Sequence, residues 1–534
     1  MVTDNDPTAP DPRRWWALAA LVTCVLTLGV DTTILNVALP TMAEDLGAGT
    51  AAQQWMADSY VVAFAALMLP AGLLGDRFGR RRMLITGLAV FLAGSVIGAF
   101  APDVAWVIAG RTVMGVGGAL VMPLALSVLP TLFSGAERTK AVAINSATVA
   151  LGLPLGPIVG GWLLDRFWWG SVFLINVPLV VIGIAACVFL LPETRDPASP
   201  RIDPISTGLT AVGLAAVIYG VIEAPIKGWG DPLVLGPLGG GLLFITWLVL
   251  RERKAVRPML DLKLLAGRGF LLNALAATLV TFILSGLLFV LPQYLQTVLG
   301  NDAFGTGLRL LPMGAGLIVA TRVAQPVVNR FGPRAVVTGG LVVLAVSALM
   351  GSRTTVGSGY GFTALWLTVA GVGFGFSIVP AMDGAIGRLP RDRAGSGAGL
   401  LMTLRQVGGA IGIAALGSLL ATVFRGRLDL GALSEQAAHT ARESVVAAHV
   451  VAEQSHMTAL AADANEAYVS GMSVVLLVCG IAAFVTALMT AALLPPAPGT
   501  GTVVGRGRKA NEPAEAREAP AAVAPERESR AGRS

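Results

Sequence analysis

The chain has 534 residues, 54% hydrophobic and 13% charged, with a net charge of +6 and a mean hydropathy of +0.73. Soluble domains carry about 25% charged residues, so this chain lacks the polar side chains to cover a water-facing surface of its size. The composition excludes a soluble globular protein and predicts an all-α, polytopic membrane protein; the positive charge sits in short loops, which is a topology signal and not a nucleic-acid signal.

Residues 1–14 read as a disordered cytoplasmic tail. Fourteen apolar runs follow, at roughly 15–39, 53–75, 83–100, 104–131, 140–165, 171–191, 207–225, 233–250, 269–292, 304–326, 334–351, 359–382, 397–423 and 469–494. At 1.5 Å per residue each can cross a hydrocarbon core of about 30 Å. The first run lacks a convincing cleavage site and opens a regular series, so it reads as a span and not as a signal peptide. The longest connection is 424–468, which carries Glu435, Glu443 and Glu453 and is expected to form external helices, and 495–534 reads as a second disordered cytoplasmic tail.

Alternate loops differ in charge. One set holds Arg77, Arg80, Arg81, Arg82, Arg138, Lys140, Arg195, Arg201, Arg251, Arg253, Lys254, Arg257, Lys263, Arg268, Arg330, Arg334, Arg388, Arg391 and Arg393. The other holds only Arg166, Lys227, Arg353, Arg425, Arg427 and Arg442. The positive-inside rule puts the first set, and both termini, in the cytoplasm. Cys24, Cys187 and Cys479 each stand alone in an apolar run and read as small buried hydrophobes. His439, His449 and His456 share one polar loop at spacings that make no metal pair on a helix face.

Asp76-Arg77-Phe78-Gly79 is echoed 253 residues later by Asn329-Arg330-Phe331-Gly332, each time between two apolar runs. The echo is displaced by eight spans. A duplicated six-span unit with two helices inserted between its copies gives that displacement, and duplicated halves are a way to build a midplane site with alternating access. The expected organisation is therefore an N-terminal six-helix half at 15–191, two inserted helices with cytoplasmic linkers at 192–268, and a C-terminal six-helix half at 269–494 with an external loop at 424–468.

"GLLGDRFGRRRML" (72–84) resembles the loop signature of the major facilitator superfamily. "GVDTTILNVALP" (29–40) resembles the first-span signature of its fourteen-spanner drug:proton antiporters. "AGRTVMGVGGALVMP" (109–123) is similar to their fourth-span motif, and "ALGLPLGPIVGGWL" (150–163) to their fifth-span antiporter motif. "WWGSVFLINVPL" (168–179) resembles the opening of their sixth span, and "AGSGAGLLMTLRQVGGAIG" (394–412) their thirteenth. Asn329 for Asp76, and Gly170 where the family often shows arginine, are departures from the pattern.

A carboxylate in hydrocarbon costs several kcal/mol unless protonated, paired or facing water. Asp31 lies roughly 12 Å below the outer end of its span, and Arg111 lies at a similar depth in the fourth. A fixed ion pair that glues two helices would use the same two residues. The resemblance implies a proton-coupling role instead, in which moving Arg111 toward or away from Asp31 switches whether the carboxylate holds a proton. Asp58 and Glu223, both toward the outer side, are further candidates for proton or cation handling, or are interfacial carboxylates in water. Gly72, Asp76, Arg77, Gly79 and Arg80 form either a membrane-anchoring basic loop or, as the resemblance implies, a conformational latch. Gly152, Gly156, Pro157, Gly160 and Gly161 form a small-residue packing face, and by resemblance an antiporter gate. Phe64, Phe282, Phe289 and Phe374 are candidate cavity aromatics. Arg309 and Arg405 are membrane arginines whose partners the sequence does not name.

The chain carries no H-E-x-x-H, no G-x-x-x-x-G-K-[ST] and no G-x-S-x-G. The expectation is a non-enzymatic, proton-coupled secondary transporter that exports small amphipathic compounds, cationic or neutral, such as drugs, dyes and antibiotics, across the plasma membrane. It would be a monomer whose partners are a small-molecule substrate, protons and the lipid bilayer, with no nucleic acid, cofactor or metal. The alternatives are a dedicated exporter of one endogenous metabolite or lipid, and a receptor or regulator on the same scaffold that moves nothing.

Overall fold

The computed structural model describes residues 14–133, 135–194, 203–255, 262–386, 394–430 and 433–494, whose regular structure is helical with no strand. The helices in chain order are α1 (Arg14–Leu46), α2 (Thr50–Phe78), α3 (Arg80–Ala99), α4 (Val104–Leu132), α5 (Gly135–Leu164) and α6 (Ser171–Leu190). α7 (Pro204–Lys227) and α8 (Pro232–Lys254) follow. Then come α9 (Arg268–Gln293, continued by a π-helical turn Tyr294–Val298), α10 (Ala303–Phe331), α11 (Pro333–Gly351), α12 (Tyr360–Ile386) and α13 (Ala394–Arg427). α14 (Glu435–Ala441), α15 (Val445–Gln454) and α16 (Thr458–Leu493) complete the series. Lipid offers backbone groups no partner, which is why a chain of this composition is helical. Against fourteen apolar runs in the sequence, twelve helices among the described residues are long and apolar enough to cross a membrane. α2 and α5, 29 and 30 residues long, run in series with them.

Local chemistry sets the helix starts. Asp103, Asp203, Asp231 and Asp302 each accept a backbone N–H in the first turn of α4, α7, α8 and α10, satisfying donors that have no partner within the helix. The 253-residue echo has a backbone cause. Gly79 (φ 111°) and Gly332 (φ 81°) both stand between a helix that ends and one that begins at once, a left-handed conformation that side chains rarely adopt.

α1 packs on α5 and α6, α4 on α2 and α3. Among the later helices, α12 packs on α9, α10 and α11, α13 on α9, and α16 on α11 and α13. The main contacts between the two sets are α5 with α10, α2 with α13, and α1 with α9. α7 and α8 form a hairpin, and α7 leans on both α2 and α13. Leu242, Leu243 and Trp247 of α8 are exposed, as an apolar helix facing lipid would be.

Helices run further than the apolar runs. α1 continues through the buried Pro40 to Leu46, because a membrane helix tolerates proline where neighbours enclose the freed carbonyl. α16 begins at Thr458 and not near 469, so the connection 424–468 is largely helical, and α15 packs on α16 and α1. The tails expected at 1–14 and 495–534 lie outside the described residues except for Arg14.

Candidate functional site

Asp31 is 1% and Arg111 2% exposed, and Arg111 Nη1 donates to Asp31 Oδ2 at 2.7 Å. The other carboxylate oxygen, Oδ1, accepts from Asn176 Nδ2 at 2.9 Å, and the same amide lies 3.3 Å from Ser95 Oγ. Arg111 Nε reaches the Met56 carbonyl at 3.4 Å, and its Cζ stands 4.4 Å from the centroid of the Tyr60 ring. Tyr60 in turn stacks on Phe64, with centroids 5.8 Å apart. One carboxylate thus ties α1 to α4 and α6 directly, and to α2 and α3 at one remove. Charge-assisted hydrogen bonds of this kind are short and strong, and an ionised acid is tolerated this deep only with such partners.

The other acids lie elsewhere. Asp58 of α2 is fully buried, and neither carboxylate oxygen has a hydrogen-bond partner among the described residues. One turn earlier on the same helix, Gln54 donates to the carbonyls of Ile413 and Ala414 on α13, at 3.2 and 2.9 Å. Glu223, near the end of α7, pairs with Lys227 at 3.3 Å and is not part of the Asp31 cluster. In the basic loop, Arg80 Nη1 donates to the Ser127 carbonyl at 3.0 Å, fastening α3 to α4, and Arg77 is exposed beside Phe78. The Asp76 side chain lies outside the described residues. A Cβ on Gly75 beside it would run into the Leu124 side chain of α4, and one on Gly72 would have only Pro123 within reach.

The profile of the Major Facilitator Superfamily matches residues 21–413. The chain belongs to the major facilitator superfamily. It is 33% identical over 476 residues to the multidrug efflux pump LfrA of Mycolicibacterium smegmatis, covering 88% of this chain and 94% of that protein. It is 33% identical over 411 residues to the tetracenomycin C resistance and export protein of Streptomyces glaucescens, covering 77% and 76%. The fold matches that of a bacterial homologue of the human lysosomal transporter Spinster, crystallised in an inward-facing, unoccupied conformation, with a TM-score of 0.67, 19% identity and coverage of 91% and 98%. This protein is therefore a multi-pass membrane transporter.

In this major facilitator chain the α5 glycines divide between two neighbours. A Cβ on Gly152 would meet Gly29 at 2.6 Å, one on Gly156 would run into Thr33, and one on Gly160 would come within 2.6 Å of Ile34, all on α1. Thr33 Oγ1 also donates to the Gly152 carbonyl at 3.0 Å. Gly161 and Pro157 face the other way. A Cβ on Gly161 would collide with the Phe304 backbone of α10, and the Pro157 carbonyl presses on Gly307. The motif is a two-sided wedge between α1 and α10.

Asp31 and Arg111 meet as their shared depth implied. Asn176, Ser95 and Tyr60 join them without having been singled out; a polar residue some five positions into the sixth span, at a matching depth, was the available signal. Of the candidate aromatics, Phe64, Phe289 and Phe374 are buried packing and Phe282 alone keeps accessible surface. Arg309 stands 5.3 Å from the Tyr360 ring centroid.

Proposed function

We propose that this transporter exports small amphipathic compounds across the plasma membrane in exchange for protons, by alternating access. The names of the relatives, drug and antibiotic resistance and export, support the substrate class. Counting α2 and α5 as spans gives fourteen: two six-helix halves, α1–α6 and α9–α13 with α16, and the inserted pair α7–α8. An even count with the observed charge bias puts both termini in the cytoplasm. The end where Gly161 packs on Phe304 is then the outer end, and this conformation is sealed outside.

The observation that carries the proposal is the buried Asp31–Arg111–Asn176 cluster. In the outward-open state Asp31 takes a proton as substrate leaves; after the outer end closes, Arg111 and Asn176 reclaim the carboxylate and the proton passes inward. Asp58, buried without a partner, is the second proton acceptor, and Glu223 with Lys227 marks the outer mouth of α7. The loop of Gly72, Asp76, Arg77, Gly79 and Arg80 latches the halves in the outward-open state, and the fifth-span wedge gates the cavity. One charge moved through 100 mV supplies about 2.3 kcal/mol, roughly a fifty-fold gradient, without a nucleotide. The protein works as a monomer.

Everted vesicles holding a proton gradient test this. A gradient dissipated by an added dye, and no dissipation in Asp31→Asn at equal insertion, is the expected result. Unchanged dissipation in Asp31→Asn moves the proton site elsewhere, and no response in the wild type rejects export.

A further inference from the structure

A guanidinium carries five N–H donors and no acceptor. Those of Arg405 on α13 meet one oxygen, Thr281 Oγ1 of α9, at 3.1 Å from Nε. Nη1 meets only thioether sulfurs, Met382 Sδ of α12 at 3.2 Å and Met402 Sδ at 3.5 Å. Thioethers are weak acceptors, so the charge stands uncompensated, with no carboxylate partner for it and no partner for Nη2 among the described residues. Arg111 is the contrast, with a carboxylate at 2.7 Å.

Arg405 nevertheless keeps accessible surface. α13 is enclosed by α2, α7, α9 and α16, and no residue from 399 to 421 is exposed. A membrane arginine faces the bundle interior or a water-filled cavity, and the accessible surface of Arg405 favours the second. Packing does not require it. Gly152 lies 253 residues before Arg405, the displacement of the internal echo, and there a glycine makes the tight contact with the neighbouring helix. In α13 that contact is made by Gly408 and Gly412, where a Cβ would stand 2.9 Å from the Thr278 carbonyl and from Phe282 Cα of α9.

We propose that Arg405 is the anion-binding group of the transport cavity, and that the exporter takes amphipathic compounds bearing a carboxylate or phenolate on an apolar frame. The anion accepts from Arg405, and the frame lies against Met382 and Met402, which adapt to varied shapes. This rests on the export function proposed above. An anion leaving and a proton entering move charge in the same electrical direction, so the membrane potential drives both.

Uptake of fluorescein, an anion, and ethidium, a cation, into energised everted vesicles is compared for wild type, Arg405→Lys, Arg405→Gln and Asp31→Asn, with melting temperatures measured on the purified proteins. Arg405→Gln should lower fluorescein uptake about tenfold, the loss expected for a charge-assisted contact, and leave ethidium uptake within about twofold of wild type. Arg405→Lys should restore part of the fluorescein uptake, and collapsing the potential with valinomycin should reduce it. Equal loss of both probes in Arg405→Gln, or no loss of either, overturns the anion site. Wild-type uptake of ethidium without fluorescein also overturns it and leaves the export function standing. Uptake of neither probe by wild type, matching Asp31→Asn, removes the export function itself.

Discussion

Arg111 lies over the Tyr60 ring while its Nη1 holds Asp31, with 4.4 Å from Cζ to the ring centroid and 2.7 Å to the carboxylate. A planar guanidinium can do both at once, and a lysine ammonium cannot match the fork and the stacking face together. Arg111→Lys should therefore insert normally and lose at least about tenfold in dye-driven proton flux, by loss of about 1.4 kcal/mol or more of matched contacts. Tyr60 contributes its ring and not its hydroxyl, which has no partner among the described residues. Tyr60→Phe should keep flux within about twofold, and Tyr60→Leu should lower it several-fold. Equal behaviour of the Phe and Leu variants would deny the ring its role.

That pairing was legible because charge is rare in hydrocarbon and helical rise converts sequence position to depth. Asn176 was not, although it sits in a stretch the family resemblance had already marked. Amides do not stand out in an apolar run as charges do, and only the fold shows that Ser95 and Asp31 flank it. The helix order was legible, and the helix ends were not. Residues 458–468, with Asp463, Asn465 and Glu466, look like loop by hydropathy but continue α16 outward as helix. The division of the fifth-span glycines between α1 and α10 needs the packing itself. A one-dimensional stripe of small residues does not say which neighbour each one meets.

Asp58 sets stability against function. Neither oxygen has a partner, so replacing the acid by its neutral isostere removes no hydrogen bond. Asp58→Asn should melt within a few degrees of wild type, or above it, by fluorescence-monitored unfolding in detergent. If Asp58 carries a proton, the same variant should transport several-fold more slowly and with an altered number of protons per substrate. Full activity with unchanged stoichiometry removes it from the coupling machinery.

The α7–α8 hairpin has its own pH signature. Arg251 of α8 donates to Asp203, the cap of α7, at 2.8 Å, and Ser206 Oγ lies 2.9 Å from Asp203 and 2.7 Å from Glu252. The hydrogen bond from Arg251 holds the Asp203 carboxyl down at about 2, against an ordinary 3.8. A folded-state value below the unfolded one contributes stability above the unfolded value, and that contribution is lost as pH falls through the folded one. For a pair this accessible, solvent screening keeps that contribution small. The melting temperature of Asp203→Asn should lie below wild type at neutral pH, with the gap steady down to about pH 5 and closing toward about pH 2. A gap that does not vary with pH would assign the loss to capping and not to the ion pair.

Gly156 and Gly161 separate the two faces of the α5 wedge. A Cβ on Gly156 would meet Thr33 and, at 2.8 Å, the Val30 carbonyl, and backbone of the same half has no room to yield. Gly156→Ala should lower the melting temperature and transport together, by the 1–3 kcal/mol typical of overpacking. A Cβ on Gly161 would meet the Phe304 backbone, a contact that, under the proposed alternating access, exists only while α5 and α10 close that end. Gly161→Ala should therefore shift the population toward the form open there. The readout is a cysteine at Leu310, buried on α10 in this form, whose labelling by a water-soluble maleimide added from outside should rise several-fold in the Gly161→Ala background and stay unchanged in Gly156→Ala. Equal labelling in both backgrounds would mean that the two glycines serve one packing surface and that α10 is no gate.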